Sequence, residues 1–167
     1  MAGLTSRLAG SRDIPALETV MAAAIAELQR GFLTEAQIAS SRMVMGLDRQ
    51  LIADRTYFVV ESDGLIAGCG GWSRRATLYG GDHTPGRDAA VLDPAVDAAR
   101  VRAMYTHPDF ARRGGGALIL RLCEDAARTE GFSRLKLMAT LSGRPLYLRA
   151  GFTDIEAIED ARGGAPV

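Results

Sequence analysis

The sequence has no asparagine, one lysine (Lys136), two histidines and two cysteines. Without asparagine there is no acceptor for N-glycosylation. Cys69 and Cys123 stand far apart inside apolar stretches, with no Cys-x-x-Cys pair and no His/Cys cluster. They read as buried free thiols in a reducing compartment, and no metal site is expected. The apolar runs fall short of the roughly 18 residues a membrane-spanning helix needs. Residues 1–10 lack the long apolar core of a secretory signal. No membrane partner is expected, and a cytoplasmic location is. Basic and acidic side chains number 20 each, for a formal net charge of zero. No chain-wide basic footprint for nucleic acid is left, and no nucleic-acid partner is expected.

What is present suits a folded domain. Apolar residues make up 47% and charged residues 24% of 167 positions. A chain of this size buries roughly 68–70% of its unfolded surface in one core. No repeat or linker divides it, so residues 1–167 read as a single domain, with 1–3 and 161–167 frayed.

Residues 7–10 suggest a short first strand. Ser11 or Asp13 and then Pro15 open a helix whose apolar residues, Ile14 through Leu28, recur at helical spacing up to Gly31. Met21, Met43 and Met45 sit at helical positions and read as core. Thr34 and Gln37 form a capping box for a helix running through Met43 and Leu47. The strand-like runs on either side of Asp63-Gly64 predict a β-hairpin, and Gly68, Gly70 and Gly71 in its second strand suggest a bulge or a close backbone approach. Residues 74–97 are irregular and long enough to be functional. Residues 99–106 alternate as a strand. A helix follows from Ala117 to a stop at Gly131, then a strand over 135–139, a short helix capped by Ser142, and a last strand over 152–158. The order predicts an α/β (α+β) fold: a single mixed sheet with helices packed on it.

The informative segment is Tyr105-Thr-His-Pro-Asp-Phe-Ala-Arg-Arg-Gly-Gly-Gly-Ala-Leu118. A strand enters a turn of two arginines and three glycines, and a helix starts. Backbone N–H groups there point ahead of the helix, and its dipole adds about half a positive charge. Glycines admit a ligand without Cβ clashes, and Arg112 and Arg113 offer charge-assisted bonds. The turn reads as a phosphate or diphosphate cradle, against the alternative of a tight turn with solvated arginines. The patterns GxxxxGK[ST] and GxGxxG are both absent, which disfavours an NTPase or a nicotinamide enzyme.

With these residues the chain resembles the GCN5-related N-acetyltransferase (GNAT) family. Its loop pattern, [Q/R]-x-x-G-x-[G/A] after a strand and His-Pro, is similar to residues 111–116 with Ala111 in the Gln/Arg place, or to residues 112–117 with Arg112 there; the register stays open. Leu146-Tyr147-Leu-Arg-Ala-Gly151-Phe152 is similar to the family's [FL]-Y-x-x-x-G-F, about 30 residues further on.

The resemblance implies a mostly antiparallel sheet splayed in its middle, flanked by about four helices, with acetyl-CoA as co-substrate. Met104, Tyr105 and Thr106 would pair with the pantetheine arm like an added strand. Arg112, Arg113, Gly114, Gly115, Gly116 and Ala117 would hold the diphosphate. Tyr147 would be the general acid protonating the leaving thiolate, its pKa ordinarily near 10. Ser142 stands where many relatives carry asparagine and is a candidate for cofactor contact. The strand before the loop has no carboxylate, unlike many relatives. The base therefore stays open among Glu27, Asp82, His83, Asp97 and a water chain. Trp72 and His83 are candidates for an acceptor pocket; otherwise they are a core tryptophan and an exposed loop histidine. Arg74 and Arg75 either steer an anionic acceptor or are simply solvated.

The expectation is an N-acetyltransferase acting on a primary amine of a small molecule or peptide by direct attack. The alternatives are a catalytically silent acyl-CoA-binding or regulatory module on the same fold, and an interaction protein whose glycine turn binds nothing. A homodimer suits this fold type, although no residue pattern demonstrates it.

Overall fold

The hairpin that Asp63-Gly64 predicts is the centre of the architecture. In the computed structural model, which describes residues 3–42, 45–84 and 87–156, β2 (Tyr57–Ser62) and β3 (Leu65–Ser73) pair antiparallel. Asp63 and Gly64 between them have φ of 52° and 78°, the left-handed pair that a two-residue turn requires. β1 (Thr5–Leu8) runs antiparallel to β2, and β4 (Ala99–Thr106) antiparallel to β3. β5 (Leu135–Lys136) runs parallel to β4, in the order β1-β2-β3-β4-β5. The sheet is mixed and mostly antiparallel, as expected.

Five α-helices accompany it among the described residues, close to the four or so expected: α1 (Ile14–Glu27), α2 (Glu35–Ser41), α3 (Arg49–Ala53), α4 (Gly115–Thr129) and α5 (Arg144–Arg149). The capping box at α2 forms, with Thr34 and Gln37 exchanging bonds of 3.1 and 3.0 Å. That helix does not run through to Leu47. It ends at Ser41, and Leu47 is buried in a loop ahead of α3, where Asp48 accepts the Gln50 N–H. Met43 lies outside the described residues.

The strands' alternation sends neighbouring residues to opposite faces. Tyr57, Val59, Cys69 and Tyr105 pack under α1 with Leu17, Met21 and Ile25. Val60 and Trp72 pack under α4 with Ile119, Cys123 and Phe132. Each fully buried aliphatic side chain contributes about 1.5–3 kcal/mol. Poor strand formers in β3 serve close approach: a Cβ on Gly70 would fall 2.7 Å from Met104 Cγ and 2.9 Å from Ile119 Cγ2.

Two irregularities position the site. Gly71 opposes Arg102 and Cys69 opposes Tyr105, so Ala103 and Met104 together face Gly70 in a bulge whose first residue, Ala103, has φ of 51°. Among the described residues, β4 and β5 pair only at Ala99–Leu135 and Arg100–Lys136. Beyond that point the sheet splays, and the strand expected over 135–139 stops at Lys136. The first strand lies at Thr5–Leu8 rather than 7–10. Residues 152–156 are not a strand, and 157–158 lie outside the described residues, as do 161–167 and the first two of residues 1–3, the ends expected to fray.

The 74–97 segment is irregular but tied down. Arg75 bridges Val91, Thr77 exchanges bonds with Asp88, and ion pairs join Arg75 to Asp54 and Arg74 to Glu130. Arg74 and Arg75 are therefore paired rather than free to steer a ligand. No helix among the described residues is long and apolar enough to cross a membrane.

Candidate active site

Past Thr106 the chain makes a 3₁₀ turn at Pro108–Phe110, with His107 Nδ1 accepting the Asp109 N–H at 3.1 Å. Arg112 then takes φ of 64° and Gly114, which caps α4, takes φ of 89°. The first bond into the helix runs from the Leu118 N–H to the Gly114 carbonyl. The N–H groups of Gly115, Gly116 and Ala117 therefore lie in the opening turn, where an α-helix has no internal acceptor and its dipole is positive. The backbone requires glycine at one position and has a tight neighbour at another. Gly114 is left-handed, and a Cβ on Gly116 would fall 2.8 Å from Leu146 Cδ2 of α5. Gly115 has no close neighbour, its nearest atom being Val60 Cγ1 at 4.0 Å.

This turn borders a cleft of about 980 Å³. Met104, Tyr105, Thr106, Arg112, Gly114, Gly115, Gly116, Ala117, Ser142 and Tyr147 all line it, drawn together from β4, the turn, α4 and α5. Arg113 does not; its guanidinium lies over the Phe110 ring, 5.4 Å from the centroid. Ser142 is on the cleft wall but caps nothing. Gly143 precedes α5, and Ser142 Oγ lies 3.2 Å from Thr140 Oγ1. Arg121, Glu124 and Arg149, which the motifs do not single out, add charge to the wall.

A smaller cavity of about 80 Å³ fills the splay between β4 and residues 137–140. Met104, Tyr105 and Tyr147 border both spaces, so they mark where the two meet. The Tyr147 ring stands edge-on to Phe152, 5.9 Å between centroids. Burial holds the Tyr147 hydroxyl well above the ordinary tyrosine pKa, with Cys123 and Tyr105 adding to the rise. Tyr105 is raised too, chiefly by burial, although its oxygen accepts the Gly46 N–H at 2.9 Å. Cys69 lies on the cleft wall, and burial pushes its thiol up to about 12.

Several expected participants sit elsewhere. Trp72 does not line an acceptor pocket; it is 1% exposed, edge-on to Phe132 and under Arg74. The reason is its parity on β3, which turns it to the α4 face. His83 borders neither space: its Nε2 lies 2.9 Å from the Arg42 carbonyl, and its ring packs on Gly46. Of the other candidates for the base, Glu27 pairs with Arg30, Asp82 with Arg49, and Asp97 accepts the Asp93 N–H. None of them borders either space.

The motifs also missed a buried ionic cluster behind the small cavity. Arg102 on its wall donates to Asp48 at 3.1 Å and to the Gly80 carbonyl at 2.6 Å, and Arg87 holds the other Asp48 oxygen at 2.6 Å. Desolvation lowers the Arg102 pKa, and Asp48 opposes that fall. The available signal was Arg100-Val101-Arg102 on a mostly buried strand: with a period of two both arginines share one face of β4, and Arg102 is the one buried there.

Comparison with known proteins agrees with this geometry. No curated protein sequence matches the chain. Among solved structures, a GCN5-related N-acetyltransferase from Rhodopseudomonas palustris superposes with a TM-score of 0.70 at 17% identity, over 100% of this chain and 92% of its own. One from Ralstonia eutropha JMP134 gives 0.60 at 20% identity, over 95% and 97%. The PaiA N-acetyltransferase from Thermoplasma acidophilum, solved in complex with coenzyme A, gives 0.64 at 13% identity, over 98% and 96%. These likenesses carry the fold. The sequence pattern of the acetyltransferase (GNAT) family matches residues 22–152, a span that takes in the bulged strand, the glycine turn and Tyr147, and on that match the chain belongs to the GNAT acetyltransferase family.

Proposed function

We propose that this protein transfers an acetyl group from acetyl-CoA to a primary amine of a small molecule or peptide by direct attack. One observation carries the reading: a single cleft joins the unpartnered opening turn of α4 to the Tyr147 side chain. Acetyl-CoA is the co-substrate typical of the family, and the residues here fit it. The opening turn of α4 offers N–H groups and a positive dipole to a diphosphate. Arg112 adds a cation beside it. The left-handed backbone at Gly114 favours the register that begins at Ala111, and the close approach of Leu146 to Gly116 agrees with it. The β4 edge beyond Arg100 is left free by the splay to bond a pantetheine arm.

The acyl group offers a thioester carbon to the acceptor. The amine nitrogen forms the new C–N bond and the C–S bond breaks, its electron pair leaving with sulfur. Tyr147 gives its proton to that sulfur and is reprotonated from solvent. The amine proton passes to water in the cleft, since Glu27, Asp82 and Asp97 border neither space. Cys69 supports attack without an acyl-enzyme. A thiol pushed up to about 12 is almost wholly protonated at neutral pH, and only the thiolate is a good nucleophile.

Acetyl-CoA at about 100 times its Kd should stabilise the fold by about 2.7 kcal/mol. A panel of amines should then release free CoA thiol, and Tyr147→Phe should slow that release without weakening CoA binding. Stabilisation with no thiol release for any amine would instead identify an acyl-CoA-binding module, and no stabilisation would sink both.

A further inference from the structure

Of the described residues that border the small cavity, Arg102 alone is an arginine, lysine, aspartate or glutamate. The rest are apolar or hydroxylic, with Met45, Leu78, Leu137 and Met138 among them. The Arg102 side chain is nevertheless buried, 2% exposed. Its Nη2 spends both hydrogens, one on Asp48 at 3.1 Å and one on the Gly80 carbonyl at 2.6 Å. Its Nε and Nη1 make no hydrogen bond among the described residues. The sealed side-chain nitrogen that lacks a partner is a different one, Arg87 Nε. Nε and Nη1 of Arg102 are therefore open to accessible space, and the space that Arg102 borders is the cavity. Gly80, whose carbonyl the guanidinium grips, borders it too.

The positive charge there is only partly answered. Asp48 is shared, because Arg87 holds its other oxygen at 2.6 Å. Asp82 lies 3.7 Å from Arg87 and is held closer by Arg49. Burial lowers the Arg102 pKa by more than Asp48 raises it. A buried guanidinium with donors to spare is a ready partner for a carboxylate. Arg102 stands two residues before Met104, roughly 6–7 Å along the strand. Met104, Tyr105 and Tyr147 border both the cavity and the cleft. We propose that the small cavity receives the carboxylate of the acceptor, with Arg102 as its counter-charge, so that the substrate is a free amino acid with an apolar side chain. The proposal rests on the acetyltransferase reading above and narrows it. A free amino acid carries its carboxylate a few bonds from its amine, which leaves the nitrogen at the junction where Tyr147 stands. The apolar wall suits an aliphatic side chain. A lysine within a peptide brings its amine with no carboxylate beside it.

The test compares alanine, leucine, methionine and phenylalanine, each with its carboxamide and with the amine that lacks the carboxyl group. In the wild-type protein, kcat/KM for at least one of these acids should exceed that of both its analogues by roughly tenfold or more, the worth of a charged hydrogen bond. The carboxamide is the stringent control, since its less basic amine is more often unprotonated and would otherwise react faster. Arg102→Gln leaves Asp48 paired with Arg87, and in this variant the ratio of acid to amine should collapse toward one. Loss of fold would lower both members of the pair and leave the ratio unread, so the wild-type comparison decides by itself. Acetylation of the analogues as readily as of the acids would overturn the proposal. A second measurement does not need turnover. Calorimetric titration of the same compounds into the CoA-saturated wild-type protein should show the acid binding roughly tenfold or more tighter than its carboxamide. If no amine is acetylated, the acyl-transfer reading fails; the titration then decides the carboxylate site, and equal or absent binding of acid and amide sinks it.

Discussion

The Asp48 carboxylate and the Arg102 guanidinium meet at 3.1 Å with 1% and 2% of their side chains exposed. The pair joins the loop ahead of α3 to β4 directly behind the small cavity. Arg87 on the other Asp48 oxygen makes the carboxylate the shared counter-charge of two arginines. The bonds to Asp48 and to the Gly80 carbonyl hold Arg102, and its inner position on β4 keeps it in the cavity wall.

Asp48→Asn would leave that shared counter-charge missing. Uncompensated buried charge is strongly destabilising, so the variant should lose about 3–5 kcal/mol. Urea unfolding midpoints measure the loss. A double variant Asp48→Asn, Arg102→Met should lose less than the two single losses added together, because it also removes a stranded charge.

The two glycines of the turn separate by mechanism. Gly116→Val drives a branched side chain into Leu146, pushing α5 and Tyr147 away from α4. CoA affinity should fall by roughly tenfold or more, equal to about 1.4 kcal/mol. Gly115→Ala meets only Val60 at 4.0 Å; alanine's higher helix propensity should raise stability by about 0.5–1 kcal/mol. Calorimetric titration with CoA and thermal melts of both variants check the pair. Equal losses of affinity would show that the turn tolerates no side chain at either position, which the geometry denies.

The sequence carried the turn, the hairpin and the order of elements because their signals are local. Asp63-Gly64 and the run from Arg112 to Ala117 each dictate backbone conformation within a few residues, and Tyr147 sits in a compact motif. The rest depends on long-range partners. Trp72 looked like a pocket residue because it follows two glycines, and only the pleat of β3 shows that it turns toward Phe132. Tyr57 looked like an ordinary strand residue, since its hydroxyl finds Ala103 across 46 positions of sequence. The strand expected over 135–139 shortens because β4 stops pairing with it, and no local pattern reports a missing neighbour.

Trp72 gives a direct check on that parity. It packs in the α4-side core, 6.0 Å from the Phe132 centroid and away from both cavities. Trp72→Phe should lower stability by about 1–3 kcal/mol through lost packing and leave KM for acetyl-CoA and for the amine within about threefold. Because it is the sole tryptophan, its emission should be that of a buried indole and change little when CoA binds. A large CoA-dependent change would place it at the cleft after all.

Acid should weaken the tie that pins the 74–97 segment. Arg75 holds the Asp54 carboxyl below the ordinary aspartate range, with burial opposing and Gln50 assisting. A depressed folded pKa gives stability that is present above the unfolded value, about 3.9, and is lost as pH falls through the folded one. Asp54→Asn should therefore be less stable than wild type at pH 7, by about 1–2 kcal/mol for the lost charged hydrogen bonds, and the gap should narrow below about pH 4. Thermal midpoints at pH 7 and pH 3 test this, and a gap that stays constant would exclude Asp54 as an acid-labile tie.

The pH profile of turnover tests Tyr147. A general acid works only while protonated, and burial keeps this hydroxyl protonated far above neutrality. The acceptor must lose its own proton before it attacks. The logarithm of kcat/KM should therefore rise with pH through neutrality and level off near the pKa of the chosen amine. No fall belonging to Tyr147 should appear below about pH 10, the ordinary tyrosine value. Tyr147→Phe should keep the rising limb, which belongs to the amine, and lower the whole curve by about 10²-fold or more, the usual share of a positioned acid. A wild-type curve that falls between pH 8 and 10, and a phenylalanine variant that lacks that fall, would mean that the tyrosine ionises in the working range. It would then be neither buried as described nor suited to protonating the leaving sulfur.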